Sequence, residues 1–244
     1  MNFFKQISVA LVLGGVVCIP VTNADQTTEN EVILLPLSEK DPFESFNRAM
    51  FSFNEGLDTV VLKPLAKSYR YVTPDLVESG VTNFFDNLTE VRNIANNLLQ
   101  FKFDGAALSF SRFVFNSTFG LAGFIDVATP MGIAKHPEDF GQTLGYWGVS
   151  SGPYLVLPLF GPSSLRDATR FVVDAPLDPI NHLDDDSARL AVQGVRVIDT
   201  RAQLLSQERL IEGDKYLFVR NAYLQRREYQ VQDGQVPDQF DVDF

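Results

Sequence analysis

Gly141-Gln142-Thr143-Leu144-Gly145-Tyr146-Trp147-Gly148, followed by Ser151-Gly152-Pro153-Tyr154-Leu155-Val156-Leu157-Pro158-Leu159-Phe160-Gly161-Pro162-Ser163-Ser164-Leu165-Arg166-Asp167, has neither a helical nor a strand period. Glycine and proline recur every few residues, and the residues between them are mostly apolar or aromatic. Proline fixes its own φ and cannot donate to a ladder, so a regular central strand is not expected through Pro153 and Pro158. Irregular backbone that is buried must find partners for its own N–H and C=O groups. Two readings stay open for this stretch. It is a hydrophobic linker crossing a core, or a shaped wall facing lipid or a lumen.

The chain on either side reads as helices. Asp41 and Pro42 fit an N-cap and first helical position, with Glu44 closing a capping box. Phe43, Phe46, Met50, Phe53 and Leu57 then form one face, with Asn47, Arg48 and Asn54 off it. Gly56 and Pro64 mark interruptions, and Thr73-Pro74-Asp75 repeats the start signal. A second stripe runs through Val77, Val81, Phe84, Phe85 and Leu88. A third runs through Val91, Ile94, Ala95, Leu98 and Leu99, backed by Arg92, Asn93, Asn96, Asn97 and Gln100. That mostly amide face is either plainly solvated or a neutral polar wall. Asp104 is expected to cap a fourth helix, apolar around most of its circumference, in which Arg112 alone brings charge. Such a helix is buried or exposed to lipid. Pro162 is expected to open a helix with Leu165, Ala168, Thr169 and Val172 on its face. Ala188 to Leu205 keeps a 3–4 spacing, and Lys215 to Tyr229 makes a last helix. The fold class is all-α, with more apolar surface than one core needs. Residues 25–40 read as a polar tether, 41–230 as the helical domain and 231–244 as a disordered acidic tail.

The 244 residues carry a net charge of −11 and 21 Phe. Nucleic acid is excluded as a partner, because phosphate binding needs clustered Lys and Arg. The same balance excludes simple electrostatic docking on anionic lipid. After the leader no run reaches the length of a spanning helix. His136 and His182 lie in separate loops and offer no metal spacing. There is no phosphate loop and no nucleophile elbow, so neither cofactor nor metal is expected, and no enzyme activity. Ser163-Ser164 beside Arg166 and Asp167 reads as a helix start, not a nucleophile. Arg112, Arg166 and Arg170 are candidate phosphate partners, or else helix-face ion pairs.

The opening stretch, together with Asp41-Pro42-Phe43-Glu44-Ser45-Phe46-Asn47-Arg48, Phe119-Gly120-Leu121-Ala122-Gly123-Phe124-Ile125-Asp126-Val127-Ala128 and Thr200-Arg201-Ala202-Gln203-Leu204-Leu205, resembles the MlaA (VacJ) family from about Asp41 to Tyr229. The resemblance implies a ring of amphipathic and apolar helices lying in the inner leaflet of a Gram-negative outer membrane, on its periplasmic side, around a polar channel. It implies removal of mislocalised phospholipid from the outer leaflet, with trimeric porins as neighbours and a periplasmic lipid carrier as acceptor. A soluble periplasmic lipid-binding carrier is the alternative. Lipid-channel candidates are Asn93, Asn96, Asn97, Arg112 and Arg166. Membrane-facing candidates are Phe43, Phe46, Phe110, Phe113, Phe115, Leu157 and Phe160.

The leader has two processing routes. Residues 1–24 read as a signal peptide, with a positive Lys5, an apolar core from Ile7 to Ile19 and small residues before Asp25. The resemblance implies instead a signal of residues 1–17 and an acylated Cys18. Val17 and Gly15 depart from a lipobox, which wants a small residue before the cysteine and Leu two positions earlier.

Overall fold

The computed structural model describes residues 41–210 and 213–234. The leader, Cys18, the tether at 25–40 and the tail beyond 234 lie outside the described residues. Helix α1 (Glu44–Leu57) runs through a π turn (Asp58–Leu62) directly into α2 (Lys63–Val72). Gly56 and Pro64 therefore do not interrupt the chain. The wide π turn relieves the clash between a proline ring and the carbonyl four residues back, and Pro64 sits in the first turn of α2. The expected capping box does not form either. Phe43 is the N-cap residue, and the Asp41 carboxylate is buried elsewhere, accepting from Asn47 Nδ2 at 2.7 Å, Arg220 Nη1 at 3.3 Å and the Tyr216 hydroxyl.

The second and third stripes belong to one long helix, α3 (Asp75–Leu99), which packs along α4 (Phe103–Thr118). Asp104 lies inside the first turn of α4 and is not its cap. The shorter α5 (Phe140–Tyr146) is capped by Asp139, whose Oδ1 accepts the Gln142 N–H at 2.9 Å. Helices α6 (Arg170–Val173), α7 (Asp186–Leu204) and α8 (Lys215–Val231) follow. Asp185 and Asp214 cap the last two. Among the described residues no helix is long and apolar enough to cross a membrane.

The opening stretch folds differently from expectation. It makes an antiparallel hairpin of β1 (Tyr154–Leu157) and β2 (Gly161–Ser164), and Pro162 sits in β2, not at the head of a helix. The prolines permit this. Pro153 and Pro158 bracket β1, while Pro162 faces Val156, which turns its own N–H away from β2 to Asn47 Oδ1 at 2.8 Å. A pair in that register needs no ladder bond, so the missing N–H of Pro162 costs nothing. Two amides of α1, seven residues apart, complete the outer edge of the hairpin. Asn47 Nδ2 donates to the Tyr154 carbonyl at 3.0 Å. Asn54 donates to the Leu157 carbonyl at 2.9 Å and accepts the Leu159 N–H at 2.8 Å. A small apolar cluster of Tyr154, Val156 and Tyr216, with Met50, Phe51 and Leu224 around it, sits beneath.

Candidate functional site

Polarity is inverted across the helices. Among the described residues, buried polar and charged side chains outnumber buried apolar ones by more than two to one. On α1, Asn47 is fully buried while Phe43, Phe46 and Phe53 are exposed. On α3, Asn93, Asn96, Asn97 and Gln100 are buried while Leu98 and Leu99 are exposed. On α4, Ser109, Arg112 and Asn116 face inward and Phe110 and Val114 outward. An ordinary water-soluble core has the opposite pattern.

Buried polar groups are tolerated only when they are bonded, and here three arginines organise the bonding. Arg227 of α8 grips two carboxylates with four bonds: Asp139 at 2.8 and 2.9 Å, and Asp167 at 3.0 and 2.9 Å. Arg170 adds a bond to Asp139 at 3.3 Å, Arg166 one to Asp167 at 2.9 Å, and Tyr223 another to Asp167 at 2.6 Å. Burial alone would raise both carboxyls, but the bonds and charge of Arg227 outweigh it and hold them below the usual carboxylate range. Gly141 makes room for this knot. A Cβ there would lie 2.6 Å from Asp167 Oδ1 and 2.7 Å from Arg227 Nη2. Gly141→Ala is therefore expected to cost about 1–3 kcal/mol by overpacking, read as a lowered midpoint of denaturant unfolding in detergent.

Arg112 is the second hub. It donates to Glu90 at 3.0 Å, to both oxygens of Asp126 at 3.1 and 2.9 Å, and to the Ile133 carbonyl at 2.6 Å. Against a burial effect of opposite sign, Thr129 and Arg112 bring the Asp126 carboxyl down to about 2. Asn93 bonds the other Glu90 oxygen at 2.9 Å and accepts the Glu138 N–H at 3.1 Å. Arg201 is the third, pairing bidentately with Asp58 at 2.6 and 2.8 Å and with Glu208 at 3.0 Å.

Of the five channel candidates, four are thus held in identified networks or bonds: Asn93 and Arg112 through Glu90, Arg166 through Asp167, and Asn96 to Asp174 at 3.0 Å and Thr143 at 2.8 Å. The fifth, Asn97, is fully buried, donates through Nδ2 only to main-chain carbonyls, Asn93 at 2.9 Å and His136 at 3.2 Å, and lines a cavity of about 740 Å3; its Oδ1 has no partner among the described residues. Of the candidate membrane-facing residues, Phe43, Phe46, Phe110 and Phe160 are exposed, and Phe113, Phe115 and Leu157 are half-buried. Ser163 and Ser164 lie buried in β2, where Ser164 Oγ accepts the Asp167 N–H at 3.1 Å. The reading of sequence passed over Asp139, Glu90, Asp126 and Arg227. Glu90 had one local signal, since it lies three residues before Asn93 on the same amide face.

Amides, carboxylates and guanidinium groups inside, with Phe, Leu and Val outside, define a class of helical protein built with its polar side inward. The chain belongs to the MlaA lipoprotein family, whose model matches residues 39–230. It is 36% identical over 207 residues to the intermembrane phospholipid transport system lipoprotein MlaA of Escherichia coli (strain K12), covering 82% of this chain and 81% of that protein. It is 35% identical over 202 residues to the protein of the same name from Haemophilus influenzae, covering 80% and 81%. A solved structure from work on the "structural basis for maintenance of bacterial outer membrane lipid asymmetry" superposes with a TM-score of 0.69 at 36% identity, over 78% of this chain and 98% of that one.

Proposed function

We propose that this protein removes mislocalised phospholipid from the outer leaflet of a Gram-negative outer membrane and passes it to a periplasmic carrier. The inverted polarity carries the reading. A surface of exposed Phe46, Phe53, Phe110 and Leu98 is stable against an apolar surrounding and costly against water. Helices too short or too polar to span can lie in one leaflet with that surface buried. The polar interior then supplies a route for a headgroup through a region where lipid offers it no hydrogen bonds. In this reading the helices form a ring in the inner leaflet beside a trimeric porin, and transport proceeds without a hydrolytic step. Asn97 belongs to the route, while Asn93, Asn96, Arg112 and Arg166 hold its wall in shape.

Deletion of the gene tests this. Cells without the protein are expected to accumulate phospholipid on the outer face and to become sensitive to detergent with EDTA. Unchanged outer-leaflet phospholipid would refute the assignment.

Attachment is a separate matter. With a net charge of −11, electrostatics cannot hold the chain to anionic lipid, so attachment is apolar or covalent, and we take it to be apolar. Cys18→Ser is expected to leave the protein in the outer-membrane fraction through a high-salt wash, with release by carbonate or detergent. Recovery in the soluble periplasm would identify acylation at Cys18 as the anchor.

A further inference from the structure

The cavity of about 740 Å3 lies at the junction of α3 and α4, against the end of α8. Its wall is charged with both signs. Lys102 and Lys135 are its cations, and Asp104, Glu138 and Asp233 its carboxylates, so with His136 neutral the wall sums to 2 − 3 = −1. Lys102 Nζ is held centrally, 3.1 Å from Glu138 Oε1, bonded to Asp233 and 5.2 Å from the centre of the Tyr146 ring. Lys135 reaches Asp86 at 2.8 Å and is half exposed. Glu138 is buried, with Oε1 on Lys102 and Oε2 accepting from Gln100 Nε2 at 2.9 Å, whereas Asp104 is exposed.

The mouth is apolar. Phe101 and Phe103 are 71% and 64% exposed, with ring centroids 6.5 Å apart. Phe101 is held at φ 60°, a left-handed conformation that a non-glycine residue rarely adopts. A polar, mixed-charge cavity under two outward rings matches an amphiphile with a doubly charged head. A head carrying only negative charge meets a wall already in net negative balance, whereas an ammonium beside the phosphate engages the surplus carboxylate.

Resting on the phospholipid-transport reading, we propose that this cavity is a headgroup site selective for zwitterionic phospholipids. The phosphate lies on Lys102 and Lys135, the ammonium on Asp104 with Glu138 behind it, and the acyl chains leave over Phe101 and Phe103.

The test is calorimetric titration of the full chain in detergent with short-chain phosphatidylethanolamine and, separately, phosphatidylglycerol. The wild type is expected to favour phosphatidylethanolamine by about tenfold. Asp104→Asn with Glu138→Gln turns the wall from −1 to +1 and is expected to abolish or reverse that preference. Asp104→Asn alone alters an exposed side chain in the first turn of α4, at a small cost to that helix, so its narrowing of the preference is read with the helical circular dichroism retained. Lys135→Gln is expected to weaken both lipids. Equal binding of the two lipids by the wild type, or a preference untouched by the carboxylate variants, overturns the headgroup site and leaves the transport reading standing. A wild-type chain that binds neither lipid removes both.

Discussion

Arg227→Met is expected to produce the largest loss of stability of any single substitution in the polar interior. The change deletes the four bonds to carboxylates and one to Gln230, and leaves Asp139 and Asp167 buried with one fewer cation between them. Removing one partner of a buried ion pair costs about 3–5 kcal/mol. Arg170, Arg166 and Tyr223 still reach the two carboxylates, which places the loss near the lower end of that range. Even so, it is a large share of the roughly 5–15 kcal/mol that holds a typical domain. Arg227→Lys is expected to lose nearly as much, because one ammonium cannot reproduce a fork that spans two carboxylates.

The pH dependence separates this from a loss of packing. In the wild type both carboxyls are held below their ordinary value of 3.8, so their contribution is fully present above it and is lost as pH falls below it through their lower folded-state values. Without Arg227, burial dominates and raises them. The variant therefore gains more stability than the wild type, whose buried Glu138 and Asp174 carboxyls are already raised, as the pH is lowered from about 7 towards about 5. Denaturant midpoints in detergent across that range are the measurement. A variant whose midpoint runs parallel to that of the wild type across the range would show that the Arg227 fork contributes little.

The second large effect is on membrane partitioning, not on folding. Phe43, Phe46 and Phe110 are 48%, 53% and 58% exposed, so each leaves roughly 100 Å2 of ring for lipid to cover. At about 25 cal/mol per Å2 that is about 2–3 kcal/mol per ring. The triple serine variant in a Cys18→Ser background is expected to lose about 7 kcal/mol of partitioning, or about five decades. It should move to the soluble fraction with its helical circular dichroism retained, since about half of each ring already lies outside the protein. Phe85→Ala is the control. That ring is buried, so its loss should cost about 3–5 kcal/mol of stability while leaving the folded fraction on the membrane. A triple variant that stays with the membrane would place the attachment surface elsewhere.

How much of this was legible beforehand differs between the fold and the site. The helices were legible because their apolar residues recur at helical spacing, but their caps were not: the expected caps Asp41 and Asp104 do not form, while Asp185 and Asp214 do cap. The hairpin was not legible either. Three prolines argue against a strand until it is known that Pro162 faces outward from a two-stranded ladder and that Asn47 and Asn54 supply the missing partners. The Asp139–Arg227–Asp167 knot was also illegible, since its members are 88 and 60 residues apart and no local pattern links them.

The amino-acid sequence by itself determined which residues lie together on each helix face: Phe43 with Phe46 and Phe53, Asn93 with Asn96, Asn97 and Gln100. Tertiary structure alone decided which of those faces is inside. Periodicity separates two faces but carries no sign, because the same stripe packs inward when water surrounds the helix and outward when lipid does. Here the sign is set by Arg112, Arg227 and Asn47, whose partners come from distant segments and are satisfied only if the polar faces close on one another.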